Sequence, residues 1–407
     1  MTPLDLPLVG LADIEAARRL LDGIARTTPM EGSRALADQV GGPVYLKCEN
    51  LQRTGSFKIR GAYVRIARLS DEERSRGVVA ASAGNHAQGV ALAAALLGCE
   101  ATVFMPTGAP IPKVQATKAY GATVRHAGAT VDEALVAAGA FATETGAVLI
   151  HPFDHADVIA GQGTVGLEIL EQCPEVRTVV VCAGGGGLVS GIAAAVKALR
   201  PDVEVVAAQA AGAASFPPSL SAGRPIPLAS MATMADGIAV GRPGDVTFCH
   251  VRDLVDRVVT VDDDALSRAL LLSLERAKLV VEPAGAAGLA AVMQDPASFA
   301  PPVVVVLSGG NIDPLLLSKV IRHGLIAAGR FLSMSVRIPD RPGELARLLG
   351  VLAEAGANLL DVEHQRTGKE LHLDEVEVDL QVETRGAEHA EVVVAALSQA
   401  SYHVRPS

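Results

Sequence analysis

The residue of this 407-residue chain best suited to covalent chemistry is Lys58, in the segment SFKIRGA. Phe57 and Ile59 flank it and give its amine an apolar setting. Burial disfavours an ammonium ion, lowers the pKa and leaves a neutral amine able to form a Schiff base. Read alone, such a lysine is more often a solvated head on a packed stem. Ser82-Ala-Gly-Asn-His-Ala-Gln-Gly89 leaves an apolar run and opens a helical one, so its N–H groups either hold an anion such as a carboxylate or make an ordinary capped helix start. Gly184 to Gly187, followed by Leu188, lets backbone N–H groups wrap a phosphate at a helix N-terminus. It is neither GxGxxG nor a Walker loop, so a nucleotide is not indicated. Ser308-Gly-Gly-Asn311 places a hydroxyl where a strand hands over to a helix, as a cap or as a crevice donor. His151-Pro-Phe-Asp-His155 has H-x-x-x-H spacing, but Pro152 works against one helix face carrying both imidazoles, and no third ligand is evident, so no metal is expected.

These turns need a frame to bring them together. From about residue 44 to 325, continuous apolar runs alternate with Ala/Leu-rich helical stretches. Val78–Ala81, Ala101–Met105, Thr178–Cys182, Val203–Ala207 and Val303–Leu307 are such runs, and all but Val203–Ala207 lead into Gly, Pro or Ser within two residues. Strands buried on both faces by helices read this way, so an α/β fold on largely parallel sheets is expected, with ligands at the strand-to-helix turns. The texture changes after Arg330. Leu332, Met334, Val336 and Ile338 alternate with polar residues, Asp340-Arg-Pro-Gly343 turns the chain, and a helix runs from about Glu344 to Ala355. Further strands near Leu359–Val362 and Val376–Val382, a helix near Ala387–Ala400 and a last strand give the order βαββαβ, a small ferredoxin-like module.

The bulk numbers narrow the function. Hydrophobic residues make up 49% and charged residues 20%, enough for a large core. A net charge of -10 without a basic block disfavours nucleic acid. No apolar run approaches the ~20 residues of a membrane helix. The N-terminus has no basic residue before Arg18, unlike a secretory signal, so a cytoplasmic enzyme is expected. Cys48, Cys99, Cys173, Cys182 and Cys249 are scattered without a CxxC pair, which argues against a zinc ribbon or a disulfide framework.

Taken in order, SFKIRGA, SAGNHAQG, HPFD, IAGQGT at Ile159–Thr164, GGGGL, EPAGA at Glu282–Ala286 and SGGN resemble the fold-type-II pyridoxal-phosphate enzymes. They look most like the threonine and serine dehydratases (threonine ammonia-lyases). The tail from Phe331 resembles an ACT domain, a module that binds free amino acids. The resemblance implies a pyridoxal 5'-phosphate-dependent catalytic domain over 1–325, made of two parallel-sheet αβα subdomains with the smaller, roughly 50–150, inserted in the larger. It also implies an ACT-like regulatory domain over 331–407. By the same likeness Lys58 carries the cofactor, Phe57 packs on its ring, Asn85 bonds its phenolic oxygen, and Gly184, Gly185, Gly186, Gly187 and Leu188 hold its phosphate. Ser308 meets the ring nitrogen, and Ser82, Gly84, Asn85 and His86 surround the substrate carboxylate. The reaction implied is loss of water and then ammonia from threonine, or from serine. Isoleucine or valine is the expected effector, held near Asp340 and Gly343 with Asn358 facing that turn, in a homo-oligomer, dimer or tetramer.

Two departures from related patterns sharpen the expectation. Serine racemases carry a second serine where this chain has Ala83, so the opposite-face proton carrier is missing. Cation-binding relatives carry a glutamate where this chain has Gln209, with alanines after it, a poor setting for a hard cation. Two rivals remain. A β-replacement synthase of the cysteine-synthase kind usually has Thr where this chain has His86, and an ACT-like tail would be out of place on it. A non-catalytic amino-acid sensor would not need intact Lys58, Gly184–Gly187 and Ser308.

Overall fold

In the computed structural model, which describes residues 5–366, 371–372 and 374–406, the chain forms two compact units, Met1–Pro314 and Leu315–Ser407. The first visits two sheets, and the order of its visits decides where the crevice lies. β1 (Met30–Gly32) and β2 (Val44–Lys47) begin the larger sheet. The chain then leaves to build β3 (Val78–Ala81), β4 (Ala101–Met105), β5 (Thr123–His126) and β6 (Val148–Leu149), a parallel sheet in the order β5-β4-β3-β6. It returns through β7 (Thr178–Cys182), β8 (Glu204–Ala210), β9 (Arg257–Val261) and β10 (Val303–Val306) to complete β1-β2-β10-β7-β8-β9. Only β1 with β2 is antiparallel there. Every residue of β3, β7 and β10 is buried, as expected of strands covered on both faces. Because β10 lies between β2 and β7, the turns after these three strands are neighbours, although 260 positions separate Cys48 from Ser308 in the chain.

The helix Lys58–Ala67 packs against the helix Ala156–Gln172, which in turn packs on the helix Gly187–Leu199. Backbone meets backbone at both crossings. A Cβ on Gly161 would lie 2.7 Å from the Arg60 carbonyl oxygen, and one on Gly191 would lie 2.4 Å from that of Ile159. IAGQGT is thus a packing motif, since only glycine leaves room for such an approach.

Two residues beyond Lys58 on the same helix, Arg60 enters a buried ion cluster. Its guanidinium donates to Glu49 at 2.8 and 2.9 Å, to Glu168 at 2.6 Å, to Thr164 Oγ1 at 3.1 Å and to the Arg26 carbonyl at 3.1 Å. Lys47 donates to Glu168 at 2.6 Å, to the Thr28 carbonyl at 2.9 Å and to Gln172 at 2.8 Å. The two cations balance two carboxylates, and every formal charge is hydrogen-bonded, the condition under which such burial is tolerated.

The helix Pro314–Ala327 lies, but for its first residue, in the second unit. β11 (Phe331–Pro339), β12 (Asn358–Gln365), β13 (Glu375–Glu383) and β14 (His403–Pro406) form an antiparallel sheet in the order β12-β13-β11-β14. The helices Glu344–Glu354 and Ala387–Gln399 supply Leu348, Leu352, Val393 and Leu397 to a core with Met334, Val336, Ile338, Val376, Val378, Leu380 and Val382. The alternation along β13 is buried-inward and polar-outward, the βαββαβ arrangement expected. One expectation fails. Asn358 does not face the Asp340–Gly343 turn within the chain, because it pairs with Glu383, which also pairs with Phe331 at the start of β11. β11 and β12 run in the same direction, so the first residue of β12 lies a strand length, roughly 25 Å, from the end of β11. The side chains of Arg366 and Asp340 meet there at 3.4 Å instead.

Candidate active site

Lys58 opens its helix at the junction of the two sheets, half-buried, with Nζ donating to the Pro152 carbonyl at 2.8 Å and 5.2 Å from the centre of the Phe57 ring. Burial pushes its amine down to about 8, against the pull of Cys182 and Glu282 nearby. The neutral fraction near pH 7 is therefore about a tenth, far above that of an ordinary lysine. A Cβ on Gly89 would sit 3.0 Å from the Lys58 backbone, so glycine there lets the helix Asn85–Leu96 close over the lysine.

The N–H groups of Gly184, Gly185, Gly186, Gly187 and Leu188 have no partner among the described residues, although all but Gly184 are buried. Gly186 holds φ at 97°, in the left-handed region, and the helix begins at Gly187. Phe153 closes the loop from behind, since a Cβ on Gly185 would meet its ring at 2.4 Å. Unpaired buried donors are costly unless a ligand satisfies them, and five converging N–H groups at a helix start suit the oxygens of a phosphate.

A second set of unpaired donors lies in the serine loop. The N–H groups of Asn85, His86 and Ala87 have no partner among the described residues, while Ser82 Oγ accepts from Gly84 N at 3.1 Å. The His86 imidazole turns inward, bonding the Ile150 carbonyl through Nε2 at 2.8 Å. Burial and the charge of Lys58 push it down to about 3, so it is neutral, and with its ring N–H spent on Ile150 its backbone N–H is the donor left for an anion. Ser308, at the end of β10, is 2% exposed and accepts a hydrogen bond from Cys182 Sγ at 3.1 Å. Burial raises that thiol to about 11, so it stays protonated as a donor.

HPFD is structural. His151 Nδ1 accepts from Phe153 N at 3.3 Å and from Asp154 N at 2.8 Å, and His155 caps its helix by accepting from Asp157 N at 3.1 Å. The Asp154 carboxylate caps the helix Asp245–Leu254 through the N–H groups of Asp245, Val246 and Thr247, and Thr247 Oγ1 donates to the Gly185 carbonyl at 2.6 Å. The motif thus braces the glycine loop. Gln209 turns Oε1 to Phe216 N at 3.0 Å.

Sequence reasoning assigned no role to Glu282, the first residue of EPAGA. It is 3% exposed, and its Oε1 accepts from Asn85 Nδ2 at 2.5 Å, while its other oxygen has no partner among the described residues. Burial, reinforced by Asp236, raises it to about 7, against the Asn85 hydrogen bond and the charges of Lys113 and Lys58. Asn311 likewise drew attention only as part of a motif, and it bonds Asn85 from the other side. A buried carboxyl in an alanine- and glycine-rich segment was the signal available for the first.

Comparison with known proteins agrees with this geometry. An L-threonine ammonia-lyase of Thermotoga maritima is 47% identical over 398 residues, covering 98% of this chain and 99% of the relative. Maize serine racemase superposes with a TM-score of 0.74 at 40% identity, over 79% of this chain and 99% of that one. The processed form of threonine deaminase isoform 2 from Solanum lycopersicum does so with a TM-score of 0.74 at 36% identity, over 79% and 98%. Residues 333–400 match the ACT domain family. Residues 21–309 match the family described as pyridoxal-phosphate-dependent enzymes, and the chain, with its buried lysine amine and its cradle of free N–H groups, belongs to that family.

Proposed function

We propose that the protein is a threonine ammonia-lyase, turning L-threonine into 2-oxobutanoate and ammonia and L-serine, less readily, into pyruvate. One observation carries the reading: two sets of unpaired N–H groups, Gly184–Leu188 and Asn85–Ala87, flank a single lysine whose amine is driven toward neutrality. Lys58 would hold the cofactor, Phe57 would lie against its ring, Asn85 would meet its phenolic oxygen, and Gly184, Gly185, Gly186, Gly187 and Leu188 would take its phosphate. When bound, the cofactor supplies the electron sink that makes the substrate Cα acidic.

The chain's own residues do the rest. The free N–H groups of the serine loop, with Ser82 and Gly84, hold the substrate carboxylate and fix Cα beside Lys58. The neutral Lys58 amine would remove the Cα proton and, as the ammonium so formed, could pass it to the departing β-hydroxyl, which leaves as water. Ser308, whose oxygen already accepts from Cys182 Sγ, would offer its hydroxyl proton to the cofactor's ring nitrogen as a neutral partner, a setting that would favour elimination over transamination. The 2-amino-alkenoate released then hydrolyses in water to the 2-oxo acid and ammonia. Ala83 has no group able to return a proton to the opposite face, which supports elimination over racemisation despite the likeness to a serine racemase. The C-terminal unit fits an amino-acid effector, isoleucine or valine, at the helix start by Gly343, with Asp340 beside it. A cytoplasmic homo-oligomer fits the same reading, and among the described residues no helix is long and apolar enough to cross a membrane.

The test is a steady-state survey of L-threonine, L-serine and 3-hydroxyaspartate with the cofactor-loaded protein. The highest kcat/KM is expected for threonine. A clear preference for 3-hydroxyaspartate, or replacement of the β-substituent by an added thiol, would overturn it.

A further inference from the structure

An asparagine amide is useful in a site only if the correct end faces the ligand, and here the fold decides which end that is. The Thr54 carbonyl can only accept a hydrogen bond, so the Asn311 atom 2.6 Å from it is the NH2 nitrogen. The second hydrogen of that NH2 points to an Asn85 atom at 2.8 Å, which must be the carbonyl oxygen. The Asn85 NH2 is then turned to Glu282 Oε1, at 2.5 Å, with one N–H left over. Oε1 accepts whether the carboxyl is ionised or protonated on its other oxygen, so the direction of the chain does not depend on that proton. The backbone is shaped to start the chain correctly. Thr54 sits at φ 64° and Gly55 at φ 69°, and a Cβ on Gly55 would meet Asn311 Oδ1 at 2.4 Å. A non-glycine residue in the left-handed region is costly and is kept where the surroundings require it.

We propose that Asn311 is a positioning residue which, through the chain Thr54–Asn311–Asn85–Glu282, fixes the Asn85 amide with its NH2 toward the reacting centre. This rests on the reading that Asn85 faces the cofactor ring. The spare N–H is then a donor to a phenolic oxygen, whereas the reversed amide would set a carbonyl against it.

Asn311→Asp reverses the chain. A carboxylate at 311 accepts from the Asn85 NH2, so Asn85 Oδ1 swings to Glu282 and, at about pH 8 where that carboxyl is mostly ionised, meets another acceptor. Cofactor affinity, measured by dialysis against graded cofactor, is expected to fall about tenfold, the scale of one buried polar group left unsatisfied. The visible band of the lysine-bound cofactor is expected to shift as well. Adding Glu282→Gln supplies an NH2 to the reversed Asn85 and is expected to recover most of the affinity while the band stays shifted. A purely structural role for Asn311 would not give that split. Asn85→Ala is the control. If it shifts the band and Asn311→Asp changes neither band nor affinity, the chain does not set the amide and the proposal is overturned. If Asn85→Ala changes nothing, the placement of Asn85 against the ring fails, and the proposal falls with it. Should Asn311→Asp not load cofactor, the double variant decides: an unshifted band in it overturns the proposal.

Discussion

Arg60→Met exposes how the fold holds its lysine. The substitution keeps most of the side-chain volume but removes one of two cations from a cluster in which Arg60 and Lys47 face Glu49 and Glu168. All four side chains are at most 10% exposed, so solvent screens them little. Two carboxylates would remain for one ammonium, and removing one partner of such a cluster costs about 3–5 kcal/mol. For a unit of this size that corresponds to a fall of roughly 5–8 °C in the midpoint of thermal unfolding. The pH dependence gives a sharper signature. In the wild type, burial pushes the Glu49 carboxyl up, but the Arg60 guanidinium outweighs it and holds Glu49 below the usual range. Its folded-state pKa lies below the unfolded one, so it stabilises the protein above the ordinary carboxylate pKa, and that contribution is lost as the pH falls through the lowered value. Without Arg60 the sign reverses: Glu49 is raised, the penalty is greatest at neutral pH, and protonation relieves it on acidification. The gap between variant and wild type should therefore narrow from about pH 8 to about pH 5. Adding Glu49→Gln should recover much of the loss, since the charges again balance. Thermal unfolding followed by circular dichroism at several pH values is the assay. A gap under about 1 kcal/mol, or one that widens in acid, would refute the reasoning.

Three further outcomes rest on the site and the C-terminal unit. Gly185→Ala puts a methyl 2.4 Å from the Phe153 ring and deforms the cradle, so cofactor should be lost on gel filtration while the circular dichroism spectrum persists. Ala83→Ser introduces a hydroxyl on the opposite face and should add some D-serine formation with little loss of elimination; substantial D-serine from the wild type would contradict the role given to Ala83. Isoleucine or valine should shift the apparent affinity for threonine by about 5–150-fold, the range of ordinary allosteric coupling. Identical kinetics with and without every branched-chain amino acid, and no binding by calorimetry, would leave the ACT domain a packing role only.

The site was legible where one local signal sufficed. Four consecutive glycines between a buried strand and a helix mark an anion cradle without help from the rest of the chain. The parallel sheets could be read from unbroken runs such as Val303–Val306, and the tail from the alternation along β13. What local reading missed depends on pairings across long separations. Glu282 meets Asn85 across 197 positions, and Asn311 meets Thr54 across 257. Arg60 and Glu168 each look like surface charges until two helices close on them. Asn358 was misplaced because a strand's position in a sheet is set by register, which short patterns do not specify. HPFD carried chemistry-bearing residue types, but their hydrogen bonds are spent on helix caps and a turn.

The central claim is that Lys58 is both anchor and base for the removal of water and ammonia from threonine. The most direct measurement is 2-oxobutanoate formation from L-threonine by wild type and by Lys58→Ala, each supplied with pyridoxal phosphate. Removing the amine takes away the Schiff-base partner and the proton acceptor together, so the variant should be folded, lack the visible band of lysine-bound cofactor and make no measurable product. A variant that still forms 2-oxobutanoate at the wild-type rate would contradict the account.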